Sequence, residues 1–221
     1  MSTIERNLRT LESEVKTLSE GRRPVDILCV SKKASVDQIK TLVELGISSF
    51  GENKVQSTLE KIQSLNNPNI NWHMIGHLQS NKVKKAVSIF DCIQSVDSLK
   101  LLKKINHHAK ELEKQQVVLL QVNLQENPEQ SGFYKAALLS ELDEIFSFPN
   151  CLIKGIMTMA PNTEDVTVLS QFFKQARELF NELQNKYSTL ETLSMGMSQD
   201  YKIAIQEGST MIRVGSLLLR S

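Results

Sequence analysis

The chain has 221 residues, of which 40% are apolar and 23% charged, ordinary values for a globular protein that argue against a disordered chain or a small disulfide-stapled scaffold. A formal net charge of +1 leaves no whole-chain electrostatic footprint for nucleic acid or an anionic membrane. The three cysteines, Cys29, Cys92 and Cys151, are odd in number, widely spaced and free of any CxxC pair, so they read as core residues of a reduced compartment. MSTIERNLRT lacks a signal-peptide core, and no apolar run approaches the roughly 20 residues that span a bilayer. A soluble, cytoplasmic protein is expected.

Ile4, Leu8, Leu11, Val15 and Leu18 recur at helical spacing, predicting an amphipathic first helix that ends near Gly21 and Pro24. VDILCVSKK follows as a first strand with apolar residues on both faces, as in a parallel sheet. Ser35 can cap a helix through Ile39, Leu42 and Val43 that Gly46 stops; Ile47 to Glu52 is extended, and Val55, Leu59 and Ile62 mark the next helix, closed by Pro68. NWHMIG is strand three, a short helix runs from about Gln79 to Val87, and IFDCIQSV is strand four. Asp97 or Ser98 opens a helix with Leu101, Leu102, Ile105, Ala109 and Leu112 inward. QVVLLQVN is the plainest buried strand; a polar turn from Gln125 to Gly132 leads to a helix holding Leu138, Leu139, Leu142 and Ile145. LIKGIMTM, a long helix through Leu169 to Leu183, TLSMGM, a short helix from about Gln199 to Gln206, and MIRVGS complete the chain.

Eight strand candidates alternating with helices over short connections predict a single (β/α)8 TIM barrel with an extra N-terminal helix, one domain over 1–221. A doubly wound open sheet is the alternative. No GxGxxG follows any strand, and the most suggestive positions fall on the first and last strands, which meet only if the sheet closes.

Lys32 sits at the carboxyl end of strand one, the edge that carries chemistry in such folds, where burial against apolar neighbours would favour a neutral, nucleophilic amine able to form a Schiff base. A first loop lysine with no further role is the plain alternative. In SMGMS, Ser194, Gly196 and Ser198 fall on one face beside a predicted helix amino terminus, a favourable place for phosphate, although Ser198 could be only an N-cap. Gly215 and Ser216 after strand eight offer a second close backbone approach and hydroxyl where barrels often bind phosphate. Arg213 is expected to point into the barrel, paired with an acid such as Glu52 or facing a ligand. Asn53, in GEN, reaches the ligand or caps the following helix. His73 and His77 straddle a strand end and make a poor metal pair; His107, His108 and the lysines at 82, 84 and 85 read as helix surface. GxSxG, P-loop and HExxH motifs are absent.

VSK at 30 to 32, GEN at 51 to 53, WHMIGHLQSNK at 72 to 82, LLQVN at 119 to 123, SG at 131 to 132, GIMTMAP at 155 to 161, LSMGMS at 193 to 198 and GSTMIRVG at 208 to 215 stand in order. Over nearly the whole chain this resembles the YggS/PROSC family, the pyridoxal phosphate homeostasis proteins. The resemblance implies a barrel similar to the cofactor-binding domain of alanine racemase, with pyridoxal 5'-phosphate held as an aldimine on Lys32. It implies that Ser194, Met195, Ser198, Gly215 and Ser216 hold the phosphate, that Arg213 faces the pyridine nitrogen and that Asn53 lines the cofactor. Lys33-Ala34-Ser35 departs from the proline common after the lysine, which makes Lys33 a competing amine.

The resemblance further implies a protein that buffers the cofactor and hands it to PLP-dependent apoenzymes. An arginine at the ring nitrogen leaves the ring largely unprotonated and a poorer electron sink, and the sequence stops after strand eight, with no further domain expected to enclose the site. A monomeric carrier with no catalytic turnover and no metal is the leading expectation; a small amino-acid racemase and a Schiff-base aldolase are the rivals.

Overall fold

The computed structural model describes residues 2–20 and 23–220; Gly21, expected at the end of the first helix, lies outside them. Eight strands, β1 (Asp26–Val30), β2 (Ser49–Glu52), β3 (Asn71–Met74), β4 (Cys92–Val96), β5 (Gln116–Val122), β6 (Cys151–Thr158), β7 (Thr192–Met197) and β8 (Met211–Val214), pair in sequence order. All pairs are parallel, and β8 returns to β1 in register from Asp26 opposite Met211 to Cys29 opposite Val214. The sheet is therefore a closed (β/α)8 barrel, and the doubly wound alternative falls on the β1–β8 pairing.

The helices are α1 (Thr3–Leu18), α2 (Val36–Glu44), α3 (Val55–Leu65), α4 (Val83–Ile89, after a 3-10 turn at Ser80–Lys82), α5 (Leu99–Glu111), α6 (Lys135–Ser140), α7 (Leu142–Ile145), α8 (Val166–Lys186), α9 (Tyr201–Gln206) and α10 (Ser216–Leu219). Each start has a local cause where the chain supplies one. Ser35 and Gln38 form a reciprocal capping box on α2, Ser98 caps α5, and the Asp165 carboxylate accepts from two backbone N–H groups of α8. α1 is tied to the end of the chain: Asn7 Nδ2 donates to Leu218 O at 3.4 Å and Arg220 O at 3.1 Å, and Glu14 accepts from Tyr201 and, at 2.9 Å, from Lys202.

Strand alternation sorts the core into two layers. Cys29, Phe50, Trp72, Ile93, Leu120, Ile156, Leu193 and Ile212 face outward and join Leu42, Leu102, Phe173 and Phe180 of the helices. Each such buried side chain contributes about 1.5–3 kcal/mol, which is what holds the helical shell on the barrel. The lumen holds a separate small cluster, Cys92, Leu119 and Met157. All three cysteines are free and all three lie in strands, Cys151 included; burial pushes the Cys29 and Cys151 thiols up to about 12.

Four expectations about elements change. Ile89 ends α4 instead of opening β4, the expected helix over Leu138 to Ile145 is two short helices, and the helix expected from Gln199 begins at Tyr201. MIRVGS is a strand only to Val214, after which Ser216–Leu219 is a helical turn with no periodic pattern to announce it. Among the described residues no helix is long and apolar enough to cross a membrane.

Candidate functional site

The carboxyl ends of the strands open on a cavity of ≈ 1280 Å³. Lys32, Lys33 and Asn53 reach it from β1 and β2, and Ser198, Arg213, Gly215 and Ser216 from β7 and β8. Closure of the sheet places the two groups side by side, because β8 is the neighbour of β1. Six of the eight expected site residues thus share one wall. Ser194 and Met195 do not reach it. Ser194 is fully buried in the lumen, while the Met195 side chain packs outward with Leu193 and Ile212, which leaves only its main chain for a ligand.

The β7 edge departs from simple alternation. The β7–β8 register shifts between Ser194 and Met197, and Gly196 takes φ +92°, a conformation that favours glycine. A Cβ there would lie 2.6 Å from the Ala204 Cβ, so Gly196 faces α9 and does not share the Ser194–Ser198 face. The shift carries Met197 and Ser198 to the cavity. Ser198 is not an N-cap: Asp200 holds that place ahead of α9, and Ser198 Oγ instead accepts the Gly215 N–H at 3.4 Å. That bond joins the ends of β7 and β8 at the expected phosphate position. A Cβ on Gly215 would lie 2.7 Å from Val30 O, so only glycine lets this backbone approach β1 so closely.

Arg213 does point into the lumen, but Glu52 is not its partner. Its Nη1 donates to Ser194 O and Ser194 Oγ, both at 2.8 Å, and Nη2 donates to Thr158 O at 2.8 Å. Ser194 Oγ in turn donates to Gln94 Oε1 at 2.7 Å, and Gln94 Nε2 lies 2.9 Å from His73 Nδ1. A polar chain thus crosses the barrel and holds the guanidinium, with neutral oxygens as acceptors. Burial lowers the Arg213 pKa to about 10, the Asp200 carboxylate partly opposing, so the group stays charged at neutral pH. Burial lowers His73 to about 4, so it is a neutral imidazole that accepts from Gln94.

Lys32 is exposed, not buried against apolar neighbours as expected. It lies two residues beyond β1, in a turn closed by Ala34 N–H donating to Ser31 O at 2.8 Å. Asn53 does not cap α3, whose N-cap is Lys54. Glu52 is fully buried behind β2, where its Oε1 accepts from Lys61 Nζ and Ser31 Oγ, both at 2.7 Å.

Among the described residues, the cavity lining contains Lys32, Lys33, Arg213 and Arg220 against one acid, Glu129. That positive excess, together with the glycine-permitted approach at Gly215, fits an anionic ligand such as a phosphate monoester. His77, weighed from the sequence only as half of a poor metal pair, lines the same cavity, its Nδ1 3.3 Å from Asp97 Oδ2 and 3.4 Å from Ser131 Oγ. Both contacts use one ring nitrogen, which is not the arrangement of a hydrolytic triad, where serine and acid flank opposite nitrogens. Gln94 was missed, although a glutamine inside a fully buried strand was a visible signal. Lys61, nine residues beyond Glu52 on another element, offered none. His107 and His108 are helix residues that both meet Glu111, at 3.3 and 2.8 Å.

Residues 2–220 match the family described as alanine racemase, N-terminal domain. A pyridoxal phosphate homeostasis protein of Pasteurella multocida is 35% identical, over 98% of this chain and 96% of its own length. PipY of Synechococcus elongatus PCC7942, solved with PLP bound, is 37% identical and superposes with a TM-score of 0.88 over 97% of this chain and 99% of that one. An alanine racemase of Clostridium difficile 630, 18% identical, shares the fold over 96% of this chain but 59% of its own, with a TM-score of 0.76. By sequence over its full described length and by its barrel, the chain belongs to the alanine racemase N-terminal domain family, among the pyridoxal phosphate homeostasis proteins.

Proposed function

We propose that this protein binds pyridoxal 5'-phosphate reversibly and serves to hold and release it inside the cell. Lys32 supplies the amine that retains the cofactor covalently; Ser198, Gly215 and Ser216 hold its phosphate, Arg213 faces its ring nitrogen and Asn53 lines its edge. Ser194 acts through Arg213, which it holds by two hydrogen bonds. When bound, the cofactor supplies an electrophilic aldehyde carbon and a phosphate ester. The observation that carries this reading is that β1–β8 pairing brings Lys32 and the Ser198–Gly215–Ser216 edge to one cavity with Arg213 on its floor.

Two features support holding over turnover. The cavity is open to solvent at the exposed Lys32, which favours exchange, and among the described residues no carboxylate hydrogen-bonds Arg213 to trade a proton with the ring. The test is the visible absorbance of the isolated protein before and after borohydride, followed by mapping of the modified residue. Lys32→Ala is expected to abolish the band and Lys33→Ala to keep it; the reverse pattern would move the site by one residue.

The His77–Asp97 pair favours a second reading, a small amino-acid racemase, because racemisation needs a second proton carrier opposite the lysine. Incubation with single enantiomers decides between them. Sustained loss of optical activity at catalytic protein levels, removed by His77→Gln, would replace the carrier reading with the enzyme.

A further inference from the structure

Two adjacent lysines, Lys32 and Lys33, are exposed and line the same cavity, so proximity alone does not say which of them captures an aldehyde. They are the two central residues of the turn from Ser31 to Ala34. The turn's far end is held by the Ser35–Gln38 capping box of α2, Ser35 N–H donating to Gln38 Oε1 at 2.9 Å. Its near end, Ser31, is fully buried and is engaged at every polar group it has. The N–H donates to Gly51 O at 3.0 Å, and the hydroxyl donates to Glu52 Oε1 at 2.7 Å. The carbonyl accepts both the Ala34 N–H at 2.8 Å and Lys61 Nζ at 2.7 Å.

Lys61 reaches from α3 and also pairs with Glu52 Oε1 at 2.7 Å. Both donors to Glu52 converge on that one oxygen, and among the described residues Oε2 has no hydrogen-bond partner. An arrangement serving only to satisfy the carboxylate would use both oxygens. This one converges on Ser31.

We propose that Glu52 and Lys61 are positioning residues that clamp Ser31 and thereby select Lys32 over Lys33 as the amine that captures the aldehyde. The inference rests on the function proposed above. With Ser31 fixed, Lys32 continues the inward alternation of Leu28 and Val30, and Lys33 starts one peptide further from the fixed corner. The selected amine attacks the aldehyde carbon, the C=N bond forms, and the aldehyde oxygen leaves as water. With the clamp loosened, the turn reorients and the second amine competes.

The test loads the full-length protein with pyridoxal 5'-phosphate, reduces the linkage with borohydride and measures the ratio of label on Lys32 to label on Lys33 by peptide mass mapping. Wild type is expected to be labelled on Lys32. The double variant Glu52→Gln with Lys61→Met, which removes both charges of the pair together, is expected to lower the ratio by about fivefold or more, the effect of losing roughly one net hydrogen bond's worth of preference. Ser31→Ala, the mildest change and one that removes only the hydroxyl, lowers it in the same direction and gives a reading even if the double variant does not fold. Lys61→Arg, which keeps the cation, retains the Lys32 preference. An unchanged ratio in folded Ser31→Ala and in the folded double variant overturns the clamp while leaving Lys32 as the site. Wild type labelled on neither lysine, or chiefly on Lys33, overturns the proposed cofactor site and the clamp with it.

Discussion

A half-buried cation, Lys61, and a buried one, Arg213, are handled in opposite ways on the two sides of the barrel wall. Behind β2, Lys61 meets the buried Glu52 carboxylate at 2.7 Å, and the pair is locally neutral. In the lumen, Arg213 is held by the Ser194 carbonyl and hydroxyl and by the Thr158 carbonyl, none of which neutralises it. A paired charge that donates to the backbone beside it serves the fold. A charge fixed in place by neutral acceptors and left facing a cavity keeps its field for a ligand. The same contrast explains why Arg213 could be assigned to a site from its position while Lys61 could not: one lines the cavity and the other does not.

That contrast can be broken most directly at Lys61. Lys61→Met strands the buried Glu52 carboxylate and is expected to cost about 3–5 kcal/mol in urea unfolding, with the double variant carrying Glu52→Gln recovering most of it. Equal loss in single and double variants would show that the pair is not the unit.

His73 tests the lumen side. The unfolded imidazole takes up a proton near pH 6.5 and the folded one only near 4, so between those values the unfolded chain binds more protons. The His73 contribution is therefore fully present above about pH 6.5 and is lost as pH falls towards about 4, by up to about 3 kcal/mol. His73→Gln should flatten that part of the stability profile; an unchanged slope would remove His73 as the neutral end of the chain holding Arg213.

The smallest effect sharpens the comparison further. Arg213→Met loses hydrogen bonds but also the cost of burying a charge, so stability is expected to change by less than about 1 kcal/mol, while affinity for pyridoxal 5'-phosphate falls about tenfold, or about 1.4 kcal/mol. A titration followed by absorbance, beside urea unfolding of the same variant, measures both. If stability collapses and affinity does not move, Arg213 belongs with Lys61 as a structural cation.

Much of this was legible beforehand because it follows from local periodicity. TLSMGM is a strand over the residues expected, Ser35 caps α2 as its spacing from Gln38 allows, and the α1 stripe from Leu8 to Val15 is buried. The positions of Lys32, Arg213 and Gly215 at strand ends followed from the same alternation. Gly196 broke it, since a single register shift reversed the face of one residue and carried its successors to the cavity. The Lys32 environment was misjudged for a related reason: two residues beyond Val30, the last of β1, a side chain can keep its inward direction and still lie open to solvent, so alternation no longer dictates burial.

By itself, then, the sequence determined the order of strands and helices, the inward and outward faces along the strands short of the register shift at Gly196, and the residue types gathered at the carboxyl edge, all of which depend on neighbours a few positions apart. Only the tertiary structure decided that β8 closes on β1, that Arg213 is held by Ser194 and Thr158 while Glu52 turns to Lys61, and that His77, on the cavity lining, meets Asp97. Those contacts join residues far apart in the chain. Their choice among chemically equivalent partners is made by where closure of the barrel places each side chain, a global property that no local pattern encodes.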